Sequence, residues 1–324
     1  MLNRRSIAGV LAFAAWLGVT LDAGAQAWPA KPVKIVVPYP PGGAVDAVSR
    51  KIAQHLTQQT GQSFFVENKA GATGTIGASQ VAQSAADGYT LVANDTTYAL
   101  LPHIFKKLPF DWAHDLQPVG AFMFAPMTVA VKTGSPYKTI NELVAAAKAN
   151  PGKVSYGSGG PGSAPHFTSE ALGVASGVKF MHVPFKGAGE ATAAVLGGVV
   201  EFQVASTPGV MGQVKSGSMQ LLAVSGDKRL NALPQVPTFH ESGIKGFGVI
   251  NFTGLWAPKN VPTEVMNRLQ RELATAMASA DMRAYADGIG AEAGFWDSAT
   301  FAKKLHESTT LWGKVAADTG FDKQ

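Results

Sequence analysis

The 324-residue sequence contains no cysteine, so disulfides, thiol catalysis and Cys-ligated zinc are all excluded. Its seven histidines (His55, His103, His114, His166, His182, His240 and His306) include no His-Glu-x-x-His or similar ligand spacing, and no metal is expected. There is no Gly-x-Ser-x-Gly elbow for a nucleophilic serine, and no glycine loop carries the Gly-Lys-Ser/Thr of a phosphate-cradling loop. After residue 27 no apolar run is long enough to cross a bilayer. The formal charge of +5 is spread along the chain with no basic stripe, which argues against nucleic acid as a partner and leaves a mild positive field that gathers small anions.

The first 27 residues have the three regions of a secretory signal: Arg4 and Arg5, an apolar stretch from Ile7 to Leu21, and the small residues of Ala25-Gln26-Ala27. Residues 1–27 are therefore expected to be a cleavable signal and the mature chain, from Trp28, to be periplasmic. The arginine pair leaves the Sec and twin-arginine routes both open. About 300 residues then remain, more than one core usually supports, and two domains are expected.

Strands and helices alternate through that remainder. Val33 to Val37 is a strand that ends in Pro40-Pro41-Gly42-Gly43, and the helix after it has Val45, Val48, Ile52 and Leu56 on one stripe. A second glycine stretch, Gly71 to Gly77, precedes another helix, and Tyr89 to Ala93 reads as a strand. The pattern restarts with a helix from Ile140 to Ala149, a strand at Val154 to Tyr156, a third glycine loop from Gly157 to Ser163, and a helix from His166 to Ala175. Extended apolar stretches at Met127 to Val131 and Phe247 to Trp256 bracket this second block. The expected class is α/β, with mainly parallel sheets covered on both faces. If the C-terminal helices return to the first block, two lobes are joined by two crossover strands, and residues 28–126 with 254–324 form one lobe and 127–253 the other. A cleft between such lobes closes like a hinge.

A strand, a glycine loop and a helix N-terminus aim backbone N–H groups and a positive dipole end at one small volume, which is an anion site. Gly157-x-Gly159-x-x-Gly162 also matches the dinucleotide fingerprint, but that motif needs an acid about 20 positions on. His182-Val183-Pro184-Phe185 stands there instead, and no cofactor is expected. Asp46 and Asp95 are candidates for a carboxylate pair, against the plainer reading of Asp46 as a capping or dipole-compensating residue of a first helical turn. What the loops share is hydroxyls and glycines: Thr73, Thr75, Thr96, Thr97, Ser158 and Ser163. Such groups hold a carboxylate by charge-assisted hydrogen bonds with no buried counter-charge.

Seven segments resemble the Bug-type periplasmic solute-binding proteins of tripartite tricarboxylate transporters: Lys31 to Asp46 with its Pro41-Gly42-Gly43, Val66 to Gly71, Gly74 to Gly77, Asp87 to Leu91, Lys106 to Asp111, His182 to Gly187, and Ala232 to Thr238. The resemblance implies a two-lobe periplasmic binding protein fold, type II-like, that is no enzyme. It further implies that this monomer closes on a small mono- or dicarboxylate, aromatic acids included, and delivers it to membrane permease subunits. A ligand sensor of a signalling system and, further off, an α/β hydrolase-like enzyme are the alternatives. Carried over by the resemblance are Tyr39, Gly43, Ala44 and Asp46 of the first loop, Thr75, Thr97 and Tyr98 of the same lobe, and Ser158, Ser163 and His166 of the other, where His166 either touches ligand or orients its loop. Three positions depart from the family pattern: Leu101 replaces an Asn, Phe252 a Trp, and Ala205 an acidic residue at a strand end. Alanine at 205 removes a partner for a ligand ammonium group at that wall, which favours a simple carboxylate over an amino acid, with Tyr39, Tyr98, Phe185 and Phe252 offered for ring contact.

Overall fold

The computed structural model describes residues 28–245, 247 and 249–324; the signal segment, 1–27, lies outside them. Strand β1 (Val33–Val37) is almost wholly buried, as the β-branched run of a parallel strand covered on both faces should be. It pairs in parallel with β2 (Phe64–Asn68) and β3 (Thr90–Asp95). Helix α1 (Ala44–Thr60) links the first two and ends at Gly61, whose left-handed φ of 72° suits a residue without a Cβ. The short helices α2 (Thr75–Ala82) and α3 (Thr97–Ile104) follow β2 and β3.

The second block repeats the plan. Between its strands β5 (Ser155–Ser158), β6 (Met181–Pro184) and β7 (Phe202–Ser206) run helices α5 (Ala164–Ser176) and α6 (Ala188–Leu196), and β5 pairs in parallel with both neighbours. Before them, α4 (Ile140–Ala149) starts at Thr139, whose side chain accepts the Glu142 N–H, and stops before Pro151-Gly152. After them come α7 (Met211–Lys215) and β8 (Met219–Val224).

The two blocks are stitched by antiparallel strands rather than by more parallel ones. Strand β4 (Leu116–Lys132) pairs with β9 (Ile250–Pro258) as far as Pro126, and from Met127 it pairs with β7 and β8. Strand β9 in turn borders β3, and β10 (Glu292–Trp296) pairs with β4. One long strand thus belongs to both sheets, and the return strand leaves the second sheet beside the same point. Antiparallel pairing is the consequence of a chain that crosses between lobes and comes back beside its own path. Helices α8 (Thr263–Ala278), α9 (Ala280–Gly288) and α10 (Ser298–Thr319) pack on the first sheet. Each sheet has a buried apolar cluster on both faces, and the carboxyl ends of β1, β3, β5 and β7 meet around one gap. Ligands of open α/β sheets bind at such strand ends.

Candidate functional site

A cavity of about 450 Å³ occupies that gap, a size that suits a small metabolite. From the first lobe come Tyr39, Pro40, Pro41, Gly43 and Ala44 of the β1–α1 loop, with Asp95 and Thr97 at the end of β3. From the second come Gly159, Ser163 and Pro165 around the start of α5, Gly187 to Glu190 and Thr192 at the start of α6, and Ala205, Ser206 and Gly209 beyond β7. Three helices therefore begin on this cavity. Gly43 and Gly187, the N-caps of α1 and α6, supply no side-chain cap, so the first-turn N–H groups there are left to water or a ligand. At α5 the Ser163 hydroxyl accepts the His166 N–H (3.4 Å) and donates to the Gly160 carbonyl (2.8 Å). Among the described residues no lysine or arginine lines the cavity, so an anion there is met by amides and hydroxyls.

The carboxylate of Asp46 braces the first loop. It accepts the Gly42 N–H (3.0 Å), the Asn68 amide (2.9 Å) and the Arg50 guanidinium (2.9 Å). Burial pulls its pKa upward, and those donors, Arg50 first, outweigh burial and hold it below the usual carboxylate range. Asp95 differs. Its carboxylate accepts the Thr97 N–H (2.9 Å) and the Tyr39 hydroxyl (3.2 Å), yet burial wins and raises its pKa. The Tyr39 hydroxyl also donates to Asn94 (2.6 Å), and burial, then the neighbouring Asp95 charge, keep it neutral.

The cavity thus brings together Tyr39, Gly43, Ala44, Asp46, Thr97, Ser163 and Ala205, while Thr75, Tyr98, Ser158 and His166 do not line it. Thr75 donates its hydroxyl to the Ala72 carbonyl (2.9 Å). Tyr98 lies in the first lobe's core against Trp112 and Trp256 and donates to the Trp112 carbonyl (3.2 Å). Ser158 exchanges hydrogen bonds with Gly160 (3.2 Å) and His182 (2.6 Å). His166 accepts the Gly162 N–H (3.0 Å) and stacks on His182 at 4.0 Å, so it holds the loop that carries Ser163. Of the four rings offered for ligand contact only Tyr39 reaches the cavity; Phe252 is buried between Trp296 and Phe301. Asp95, absent from the expected site, is the most consequential addition, together with the start of α6, whose signal is the Gly187-Ala188-Gly189-Glu190 run after a strand.

Comparison with known proteins shows the family. Residues 48–321 match the family described as the tripartite tricarboxylate transporter family receptor. BugT of Bordetella pertussis is 32% identical over 85% of both chains. The solved periplasmic binding protein BugD is 32% identical with a TM-score of 0.87, covering 92% of this chain and 100% of that one. An R. palustris protein solved with adipate is 29% identical with a TM-score of 0.88, covering 92% of this chain and 100% of that one. The chain belongs to the tripartite tricarboxylate transporter family receptors, the Bug-type periplasmic solute-binding proteins.

Proposed function

We propose that this protein captures a small carboxylate, mono- or dicarboxylate, in the periplasm and passes it unchanged to the membrane subunits of a tripartite tricarboxylate-type transporter. The carrying observation is the convergence of the uncapped amide ends of α1 and α6, from opposite lobes, on a cavity whose described lining offers an anion only neutral donors. A carboxylate held from both sides favours the closed lobes by contacts that the open form lacks. The adipate-bound relative supports an acid of this size.

A thermal-shift screen of mono-, di- and tricarboxylates, aromatic acids and amino acids tests the proposal. A ligand that binds only the folded state adds about 2.7 kcal/mol at ~100 times its Kd, a clear rise in Tm. Recovery of the acid unaltered after incubation separates binding from catalysis. A screen in which no carboxylate moves Tm would remove this function.

A further inference from the structure

Thr73 stands in the turn Ala72–Gly74 between β2 and α2, within the run Gly71-Ala72-Thr73-Gly74. All four residues have positive φ, and two of them are not glycine: Ala72 at 44° and Thr73 at 52°. The left-handed region crowds a Cβ against the backbone, and a β-branched residue suits it least. Such strain persists only where neighbouring structure holds it. On its own lobe the turn is pinned by the Gly74 N–H on the Gly71 carbonyl (3.0 Å) and the Thr75 hydroxyl on the Ala72 carbonyl (2.9 Å). Among the described residues the Thr73 hydroxyl takes no part in that pinning. It donates across the gap between the lobes, to the Pro161 carbonyl (3.1 Å).

Pro161 belongs to the glycine loop that carries Ser163. Gly160 and Gly162 beside it also have positive φ, and the Gly160 carbonyl accepts the Ser163 hydroxyl (2.8 Å). This loop is hooked a second time by the first lobe, where the Thr97 hydroxyl accepts the Ala164 N–H (3.1 Å). The first sheet runs outward from the crossover in the order β9, β3, β1, β2. Thr97, after β3, is therefore the inner hook, and Thr73, after β2, is the outer one. A single tie leaves a loop free to pivot, whereas two separated ties fix it, and the outer one resists rotation of the lobes at the longer lever arm.

We propose that Thr73 is a positioning residue, a clasp that holds the Pro161 loop, and through it Ser163, against the first lobe before any ligand arrives. Glycine would suit the backbone at position 73 better; threonine there accepts strain in exchange for a hydroxyl that reaches the other lobe. On the reading that Ser163 grips a carboxylate, the clasp keeps one half of that grip formed in the empty cleft, and the ordering of the loop is not drawn from the binding energy.

Double electron–electron resonance on the ligand-free mature protein tests the clasp. The chain has no cysteine, so nitroxides on Ala85→Cys, beyond α2, and Ala175→Cys, on α5, both at exposed positions, are the only labels and report the distance across the seam. The labelled parent should be dominated by one short distance, and Thr73→Ser should match it. Thr73→Val should show a longer-distance population about fivefold larger, the weight of one neutral hydrogen bond. Thr73→Gly should loosen the seam in the same way yet melt no lower than the parent, because it loses the hydroxyl and the strain together; it also serves if the valine variant folds poorly. A tie that only stabilised the fold would lower the Tm of the glycine variant and leave its distances short. Thr73→Val and Thr73→Gly distributions that match the parent would overturn the proposal, and so would a serine variant as loose as the valine one. A parent dominated by long distances would overturn it too, since the clasp would then be open. No ligand enters the measurement, so its outcome is separate from that of the carboxylate screen.

Discussion

Gly43 is free of backbone strain, with a φ of −82°, and a Cβ added there would meet nothing within 4 Å. The space such a side chain would take is the cavity itself. Gly43→Val should therefore melt like the parent and show no ligand-induced rise in Tm; a variant that keeps its affinity would move the site away from α1. Ser163→Ala removes both a helix cap, at about 1 kcal/mol, and a cavity-lining hydroxyl whose one proton, held by the Gly160 carbonyl, has to turn to a bound carboxylate. Loss of a hydrogen bond to a charged ligand costs roughly 1.5 to 3 kcal/mol, so calorimetry should read at least tenfold weaker binding, and unchanged affinity would take Ser163 out of the site. At this scale the sequence is legible in kind and not in direction. Glycine and hydroxyl runs announce an anion site, but successive helical residues point about 100° apart, so Thr97 faces the cavity while Tyr98 beside it is buried in the core. Thr75 and Ser158 have their hydroxyls engaged by local partners, which no spacing rule reveals.

Helix α4 matches its sequence bounds to the residue because Thr139 caps it and Pro151-Gly152 follows it. Strand β10 leaves no mark in the sequence, since its five half-buried or exposed residues carry no apolar alternation. The antiparallel course of β4 and β9 is set by partners more than a hundred residues apart, which local periodicity does not encode. Helix α5 carries a further consequence, because its first turn holds one of two stacked histidines. Burial, and then the nearby His182, lower the His166 pKa to about 3, and burial lowers that of His182 to about 4. Both folded values lie below the unfolded value near 6.5. Their stabilisation is thus complete above pH 6.5 and falls as pH drops from there toward 4, where the unfolded chain takes protons that the folded one refuses. Each fully buried histidine of this kind removes about 1.4 kcal/mol per pH unit in that window, and half-buried His182 removes less. Urea unfolding at pH 7 and pH 5 should show the drop. His166→Asn, which retains an acceptor for the Gly162 N–H, should shrink it; identical stabilities at the two pH values would mean the pair is not held neutral.

Across the whole molecule the lobes are not equally free of each other. Helix α5 follows a strand of the second sheet, yet Phe167 on it is 1% exposed and packs on Trp312 and Phe321 of the C-terminal segment. Gly162 sits so near Ile104 of the first lobe that a Cβ would come within 2.6 Å of it, and Thr97 takes the Ala164 N–H across the same seam. The tail is tied down in turn, with the Gln324 N–H on the Ile104 carbonyl (2.8 Å) and the Lys106 N–H on the Gln324 carbonyl (2.9 Å). From these contacts this side of the cleft is expected to act as the fixed jaw, with opening on the α6 side, where Gly187 rests on Pro40. Phe167→Ala should cost about 3 to 5 kcal/mol of stability. It should also weaken ligand binding, because an apo protein that opens more widely spends less time in the binding-competent form, and apparent affinity falls by that fraction. Phe202→Ala, in the second lobe's own core, should lose comparable stability with its affinity intact. Small-angle scattering should find a larger difference in radius of gyration between ligand-free and saturated protein for Phe167→Ala than for the parent. Equal differences, or an equal loss of affinity in both variants, would mean that α5 moves with its sheet and that the seam does not limit opening.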